Sequence, residues 1–359
     1  MKSTKQLDPN KPAPFDFFDL AGPDSLMGWR ALRKRMDMAK GEKYEKEKKM
    51  YDEQLTSNMR DCEKDLLPNI KVILSTVDLV LKRTTIKIKM SEALEKVTRV
   101  IIDEASLLTE AALFCLMRRF PEALIVLIGD DKQLPPFRYD IRELGSQLAG
   151  RPALTIAMNT GRVPVVELVK VYRAPQSLIA PYNRLAYNNN LKSNVPEREF
   201  PLSDLGFIKR GLAQLLFVKV MGKQVRDDRS MSLYNLEELK VAHRLLSRFP
   251  KEWTKHMMII CLYDEQKRRL QAALGNDYTV LTVDSSQGKE KPIVVLLTTR
   301  TVVPREGLFF YSKQRCNVSI SRQQQALIVL GFEHLLITNE PWSTVVHRPD
   351  FSSINAADI

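Results

Sequence analysis

Residues 26–66 carry charges of alternating sign and a narrow apolar stripe. The stripe consists of Tyr51, Leu55, Met59, Cys62 and Leu66. Spacings of three and four residues are typical of one face of a helix, so the pattern predicts a helical arm. The arm either packs on a larger body or is a solvated surface helix. A coiled-coil dimerisation element is a weaker third interpretation, because the stripe is short and Gly41 interrupts the helix.

After Pro68, short apolar runs alternate with segments of helical periodicity. The runs are IKVILST, VTRVIID, ALIVLIG, VVELVKV, QLLFVKV, HMMIICL, YTVLTV, PIVVLLTT and ALIVLG, and the clearest helices are YNLEELKVAHRLLSRF and YDEQKRRLQAALG, the latter ended by Gly275. Nearly continuous apolarity indicates strands buried on both faces, as in a parallel sheet. The alternation occurs twice, which predicts an α/β fold with domains over residues 67–155 and 156–345. Residues 1–25 are predicted to be a disordered lead-in and residues 346–359 a tail.

Composition narrows the class of protein. The chain has 359 residues, enough for about two domains. Lysine and arginine outnumber the acidic residues by 55 to 43, and the net charge of +12 favours a polyanionic partner such as nucleic acid. No apolar run is long enough to span a bilayer, and the N-terminus lacks the features of a secretory signal. The four cysteines are far apart in sequence, which argues against zinc and for reduced thiols in an intracellular protein.

Two predicted strands end in groups suited to phosphate chemistry. Asp103 and Glu104 follow VTRVII, and Asp130, Asp131 and Gln133 follow ALIVLIG. Ligands collect at the carboxyl ends of parallel strands, so the two sets are expected to lie together. One carboxylate can hold Mg²⁺ and its neighbour can orient an attacking water, while a glutamine can bond a γ-phosphate.

The segments DEAS and GDDKQLPP resemble motifs II and III of superfamily 1 helicases, in the branch that includes the helicase of nonsense-mediated mRNA decay. Further along the chain, motif IV is resembled by ELVKVYRAPQSLIAPYNRLAYNNNL, motif V by LTVDSSQGKEKPIVVLLTTR and motif VI by RCNVSISRQQQALIVLG. The resemblance implies tandem RecA-like parallel-sheet domains that bind ATP and Mg²⁺ between them. It implies catalytic roles for Asp103 (also the metal ligand), Glu104, Gln133, Arg173 and Arg322. It implies nucleotide binding by Tyr172, Gly288 and Glu290, and nucleic-acid binding by Ser75, Thr76, Thr282 and Ser285. The segment CLYDEQKRRL resembles the family's Tyr-x-x-Gln element.

Two features depart from the family pattern. A phosphate loop reads GxxxxGK[ST], and the sequence contains none; its two Gly-Lys pairs, Gly222-Lys223 and Gly288-Lys289, are followed by Gln224 and Glu290. The first RecA-like domain is therefore expected to be incomplete, and the chain to correspond to a C-terminal portion whose missing part is a longer N-terminus or a partner chain. Gln324 stands where the family often has a basic residue, and we expect it to weaken the cleft or its link to motif V.

The sequence thus predicts a helicase-like protein whose parent activity is ATP-dependent translocation along, or unwinding of, nucleic acid, with RNA favoured over DNA. Contacts to the phosphate backbone are expected to dominate binding. The chain alone is expected to bind ATP weakly and not to hydrolyse it. The alternative is a non-catalytic nucleic-acid-binding or scaffold protein. An intracellular location is expected, the cytoplasm more than the nucleus, with no membrane association.

Overall fold

The computed structural model describes residues 45–46, 48–50, 53, 71–82, 94–137, 144–197, 202–303, 309–346 and 351–359. The lead-in predicted for residues 1–25 and most of the arm predicted for residues 26–66 lie outside these ranges. The described positions within the arm are helical and exposed. No described helix is both long and apolar enough to cross a lipid bilayer.

Strands and helices alternate along the described chain. The strands are β1 Arg99–Ile102, β2 Leu124–Leu127, β3 Lys170–Val171, β4 Lys192–Ser193, β5 Leu215–Lys219, β6 Gln224–Arg226, β7 Leu233–Asn235, β8 Met257–Cys261, β9 Thr279–Thr282, β10 Lys291–Leu297, β11 Gln323–Gly331 and β12 Ser352–Asn355. The α-helices are α1 Val77–Lys82, α2 Glu110–Arg119, α3 Leu144–Ala149, α4 Ala153–Asn159, α5 Gln176–Ala186, α6 Leu236–Ser247, α7 Asp264–Leu274, α8 Val283–Ser286, α9 Lys313–Ser319, α10 Glu333–Thr338 and α11 Trp342–Val346.

The chain divides into two compact units. The first comprises residues 1–101 and 112–126, and the second comprises residues 102–111 and 127–359. This division differs from the domains predicted at 67–155 and 156–345, because residues 102–111 and 127–155 belong to the unit that contains the large sheet. The predicted domain boundaries stay a prediction.

The first unit contains most of the pair β1 and β2. Leu124 N–H donates to Thr98 O (3.0 Å) and Ile128 N–H donates to Ile102 O (2.8 Å). The two strands are therefore parallel. The strand predicted for IKVILST is wrong. Residues 71–76 form no strand, and Leu74 is 93% exposed. A strand is stable only with a hydrogen-bonded neighbour, and among the described residues this run has none.

The second unit is built on a six-stranded parallel sheet in the order β12-β5-β11-β10-β8-β9. Successive residues of the central strands enter opposite clusters of buried side chains. In β11, Leu327 and Val329 pack on the face covered by α5 and α9, while Ile328 and Leu330 pack on the face covered by α6 and α7. Burial on both faces is the reason that these strands are continuously apolar. The predicted α/β fold with a parallel sheet is confirmed.

Three further expectations need correction or addition. The run VVELVKV contributes only the two-residue β3, and Val166 is 83% exposed. The predicted tail contains β12, which pairs with β5 at the edge of the large sheet. The hairpin formed by β6 and β7 was not predicted from the sequence. Short or half-polar strands such as these form because a partner strand is present, and their own sequence indicates that partner weakly.

The parallel strands of the sheet have their carboxyl ends along one edge and their amino ends along the other, and different candidate residues lie at each. Leu297, Cys261 and Thr282, the last residues of β10, β8 and β9, lie in one row across adjacent strands. The residues that follow them share the carboxyl edge. Glu290 and Arg322 immediately precede β10 and β11, so they lie at the amino edge.

A buried carboxylate organises the turn after β10. Glu238 in α6 is 1% exposed and accepts hydrogen bonds from the backbone N–H groups of Thr298 (3.2 Å) and Thr299 (2.9 Å). Gln266 in α7 donates to the same carboxylate at 2.8 Å. Burial raises the pKa of Glu238 to about 8, although the N–H donors act against this rise. The thiol of Cys261 lies close enough to Glu238 for the carboxylate to raise its pKa further, after burial.

The stability of the chain should depend on the protonation of Glu238. Its pKa is raised in the folded state, so its stabilising contribution is present below its ordinary value of 4.5 and is lost as pH rises through about 8. We expect the free energy of unfolding to fall between about pH 5 and about pH 9, by roughly 1.4 kcal/mol per pH unit at most. Urea titrations at a series of pH values measure this slope.

Two variants isolate the contribution of Glu238 from that of other groups in the chain. Glu238→Gln cannot ionise and should lack the fall in stability. Glu237→Gln alters the exposed neighbour, which pairs with Lys240, and should retain it. Equal slopes in both variants would show that Glu238 does not titrate in this range.

Candidate nucleotide site

The end of β1 presents the first carboxylate pair in a constrained turn. Asp103 Oδ1 accepts a hydrogen bond from the N–H of Glu104 at 2.9 Å. Glu104 has a φ of 52°, an unusual backbone conformation for a residue other than glycine. Such a conformation raises the free energy of the folded state by on the order of 1–3 kcal/mol, and residues that adopt it are frequent at functional sites. The Glu104 carboxylate accepts a bond from Gln287 Nε2 at 3.1 Å, which joins motif II to motif V.

The end of β2 lies directly against this turn. Ala105 N–H donates to Ile128 O at 2.8 Å. A Cβ atom at Gly129 would lie 2.8 Å from the backbone nitrogen of Ser106, closer than such atoms approach. Glycine is therefore required for the two strand ends to meet, as expected for the carboxyl ends of adjacent parallel strands.

Gln133 and Arg322 are in direct contact. Arg322 Nη2 donates to Gln133 Oε1 at 3.3 Å and to Ser321 Oγ at 2.8 Å, and Arg322 Nε donates to Val318 O at 3.1 Å. The arginine is 2% exposed. Burial, and then the positive charge of Arg173, lower the pKa of Arg322 to about 10. Among the described residues no carboxylate forms an ion pair with Arg322. The buried Arg322 guanidinium therefore lies near that of Arg173 without an acidic partner of its own.

Arg173 pairs with Glu290 in this structure. Its Nε donates to the Glu290 carboxylate and its Nη1 donates to Ser321 O at 2.9 Å. Burial alone would raise the pKa of Glu290, but the hydrogen bond and charge of Arg173 hold it below its ordinary value. Glu290 also accepts a bond from Gln324 Nε2 at 2.8 Å. The Gln324 amide thus joins motifs V and VI, and the expectation that Gln324 weakens the cleft or this link relative to a basic residue stays a prediction.

Sequence reasoning missed a hydrogen-bonded group that holds motif III. Tyr187 OH donates to Asp130 Oδ2 at 2.5 Å and accepts from Asn317 Nδ2 at 2.9 Å. Asp130 in turn accepts from Gln133 Nε2 at 2.9 Å. Burial, and then the charge of Asp130, raise the pKa of Tyr187 far above its ordinary value. The sole signal in the sequence is Asn317, a polar residue in the otherwise small and apolar run CNVSIS.

The predicted nucleotide-binding residues Tyr172, Gly288 and Glu290 are all exposed. Tyr172 is 69% exposed, as a residue that stacks on a base requires. Gly288 has a φ of 72° and lies close to Glu104: a Cβ atom there would be 3.7 Å from Glu104 Oε1. Their roles stay predictions.

Two of the predicted nucleic-acid contacts lie at the carboxyl edge of the large sheet. Thr282 and Ser285 form a reciprocal capping box at the start of α8, with their hydroxyl oxygens 2.7 Å apart. Both hydroxyls already stabilise the helix, so contact with a ligand would be an additional role.

Ser75 and Thr76 belong to the first unit and are exposed. Thr76 Oγ1 accepts a bond from Leu79 N–H at 3.3 Å, and the Ser75 hydroxyl donates to Thr76 O at 3.2 Å. Their contact with nucleic acid stays a prediction.

Metal binding rests on few donors. The described residues contain no group of three or more histidine, cysteine, aspartate or glutamate side chains that could hold an ion. Mg²⁺ is commonly held by one or two carboxylates together with phosphate oxygens and water. Asp103 at the turn after β1 suits a metal of that kind.

Removal of the Tyr187 hydroxyl should loosen motif III. Tyr187→Phe deletes a hydrogen bond to a partly buried carboxylate, and such bonds contribute about 1.5–3 kcal/mol. We expect a loss of that order in the free energy of unfolding by urea. Tyr182→Phe is the matched control, because Tyr182 is 5% exposed in α5, the helix that Tyr187 directly follows, but its hydroxyl has no part in this group. Equal losses in both variants would contradict the assignment.

Comparison with known proteins agrees with the motif order. Models of the AAA domain family match residues 24–139 and residues 151–334, the second match covering slightly more than half of the chain. The chain is similar to the 5'-3' DNA helicase ZGRF1 of Mus musculus, with 29% identity over 265 residues that make up 69% of this chain and 13% of that protein. It is similar to the probable helicase senataxin of Mus musculus, with 29% identity over 270 residues, 69% of this chain and 10% of that protein.

The chain therefore spans only a small part of the length of these relatives. Among solved structures it is similar to the PRRSV helicase, with 17% identity and a TM-score of 0.35 over 66% of this chain and 36% of that one. On the family matches, this chain belongs to the AAA domain family.

Proposed function

We propose that this chain forms the arginine-bearing side of an ATP site in a helicase that moves along, or unwinds, nucleic acid. The observation that carries the proposal is the contact between the Arg322 guanidinium and the Gln133 amide, with Arg173 nearby. Groups from motifs III, IV and VI, far apart in sequence, thereby converge on one region beside Glu104.

The donor set suits a triphosphate. Arg173 and Arg322 supply positive charge to equatorial phosphate oxygens, and the loss of such arginines from related phosphoryl-transfer sites costs about 10³–10⁵ in rate. Glu104 is placed to orient a water, and Gln133 to bond an oxygen of the γ-phosphate. Asp103 would be one of the ligands of Mg²⁺. The bound ion would neutralise part of the phosphate charge. Glu290 would exchange its bond with Arg173 for the ribose when nucleotide enters.

Nucleotide affinity is a separate question. The sequence lacks GxxxxGK[ST]. That motif supplies backbone N–H groups that bind the phosphates, a lysine, and a hydroxyl ligand for Mg²⁺. We propose that this chain alone binds Mg-ATP with a Kd well above the micromolar range, and that residues 67–155 and 156–345 correspond to an incomplete and a whole RecA-like domain.

The second candidate is a non-catalytic protein that binds nucleic acid or acts as a scaffold. The absent phosphate loop favours it. The retention of Glu104, Gln133, Arg173 and Arg322 favours a chain of the active type, because a site released from catalysis has no need to retain all four.

ATP hydrolysis by this chain alone should be at background. We expect phosphate release in the presence of a single-stranded oligonucleotide to equal that of Glu104→Gln, which removes the carboxylate that orients water. A higher rate that Glu104→Gln abolishes would contradict the predicted inactivity and would support the role of Glu104. A higher rate that survives in Glu104→Gln would contradict that role.

Binding to single strands should depend steeply on salt and little on base sequence. Phosphate contacts release counterions, so log Kd should rise with log salt concentration by about 0.7 for each contact. Fluorescence anisotropy with labelled oligonucleotides of equal length and differing sequence measures both properties. RNA and DNA of the same sequence are compared, with tighter binding to RNA expected. A Kd that ignores salt would contradict a backbone-dominated interaction.

A further inference from the structure

Tyr182 is a nearly buried tyrosine whose hydroxyl has no role in the interactions described above. Its side chain belongs to α5, is 5% exposed and packs in the cluster of buried residues on that face of the large sheet. Among the described residues the hydroxyl has no hydrogen-bond partner, yet its oxygen is not one of the fully enclosed polar atoms that lack one. The ring is therefore buried while the hydroxyl still reaches an opening.

The position of Tyr182 along α5 places it opposite the segment that joins α9 to β11. Leu178, one turn earlier on the same face of the helix, accepts a hydrogen bond at its backbone oxygen from Gln323 Nε2 at 3.2 Å. The rings of Tyr182 and Tyr187 meet edge to face with their centroids 6.2 Å apart, and Tyr187 in turn bonds Asn317. Tyr182 thus lies between two contacts to this one segment.

The same segment carries Arg322, and the charges of both site arginines reach the Tyr182 hydroxyl. Burial raises the pKa of Tyr182 above its ordinary value, while the positive charges of Arg173 and Arg322 act against this rise. The phenol is therefore neutral at neutral pH and can donate a hydrogen bond. Its position near two cations favours a negatively charged acceptor.

Arg322 also has donor capacity that its contacts within the chain do not use. Its Nε and Nη2 bond Val318 O, Gln133 Oε1 and Ser321 Oγ. Within the described part of the chain its third nitrogen, Nη1, has no hydrogen-bond partner. Phosphate oxygens are charged acceptors, and hydrogen bonds to them from guanidinium groups are among the strong ones. An unpaired phenol beside such a guanidinium extends the same donor set.

A tyrosine that serves only to fill the core does not need its hydroxyl. Phenylalanine would place the same ring in the same space without burying a polar group, and a polar group buried without a partner destabilises the folded state. Buried tyrosines accordingly tend to have a hydrogen-bond partner. Tyr182 departs from this tendency at a place where two arginines converge, which favours a ligand as the acceptor.

We propose that Tyr182 is a phosphate-binding residue of the candidate site, and that its hydroxyl donates a hydrogen bond to an oxygen of the terminal phosphate bound by Arg173 and Arg322. The inference rests on the proposed function and adds a neutral donor to the two cationic ones. The arginines attract any nearby anion, whereas a single O–H on a packed ring favours an oxygen at one position.

Binding of tripolyphosphate to the whole chain tests this role. Tripolyphosphate has the phosphate groups of ATP without its base or ribose, and a titration followed by phosphorus NMR measures dissociation constants in the millimolar range. Tyr182→Phe should raise the Kd about tenfold, because a hydrogen bond to a charged group is lost. Arg322→Met should raise it at least as much. Urea unfolding without tripolyphosphate should be the same for Tyr182→Phe and the unmodified chain.

Tyr278→Phe is the matched control. Tyr278 is partly buried against the cluster on the opposite face of the large sheet, so its hydroxyl should not affect the Kd. If Tyr182→Phe behaves like Tyr278→Phe while Arg322→Met weakens binding, Tyr182 is not a phosphate ligand and the proposed function stands. If the unmodified chain does not bind tripolyphosphate, or if Arg322→Met leaves its Kd unchanged, the proposed function and the inference both fail.

Fluorine NMR detects the contact without removal of the hydroxyl. In a chain that contains fluorotyrosine at every tyrosine, the resonance that is absent from Tyr182→Phe belongs to Tyr182. This resonance should shift as tripolyphosphate is added, and the shift should be lost in Arg322→Met. A Tyr182 resonance that does not move at saturation would overturn the inference, even if Tyr182→Phe weakened binding through a change in folding.

Discussion

The contact between Arg322 and Gln133 is the interaction on which the candidate site depends. Arg322 precedes β11 and Gln133 follows β2, so the parallel arrangement of strands alone would not bring them together. The hydrogen-bonded group of Asp130, Tyr187 and Asn317 does so, by fixing the turn after β2 to α9. Gln133 donates its amide N–H to Asp130, which leaves its carbonyl oxygen facing the guanidinium. The orientation of the Gln133 amide thus depends on Tyr187, a residue to which the sequence analysis assigned no role.

The two edges of the large sheet separate the two kinds of ligand contact. The residues suited to a triphosphate, Arg173, Glu290 and Arg322, lie at or near the amino edge, and Thr282 lies at the carboxyl edge. Residues 283–290 cross from one edge to the other. Within this short segment Gln287 bonds Glu104, and Asp284 bonds Arg315. A shift of the segment therefore alters both edges, which is the physical requirement for coupling between two bound ligands.

Much of this arrangement was predictable from the sequence, for identifiable reasons. PIVVLLTT and HMMIICL are apolar at every position because both of their faces are buried, so their strands could be predicted without knowledge of their neighbours. IKVILST carries the same signal, yet it forms no strand, since periodicity reports suitability for pairing and not the presence of a partner. The short β12 has the opposite character: its residues are largely polar, and it forms through β5. Asp103, Glu104, Gln133, Arg173 and Arg322 were recognisable because their spacing repeats a family order. Tyr187 was not, because its role depends on two side chains that are each far away in sequence. The partner of Gln324 could not be predicted either, because a difference from a family pattern does not indicate which group the new side chain will contact.

A double-mutant cycle on Gln133 and Arg322 tests the central contact most directly. The variants Gln133→Ala, Arg322→Met and their combination would be compared with the unmodified chain by urea unfolding. Residues in direct contact show interaction energies of about 0.5–3 kcal/mol, and we expect a value near 1 kcal/mol for this pair. Strictly additive losses would mean that the guanidinium and the amide do not interact, and the shared site built on them would be contradicted.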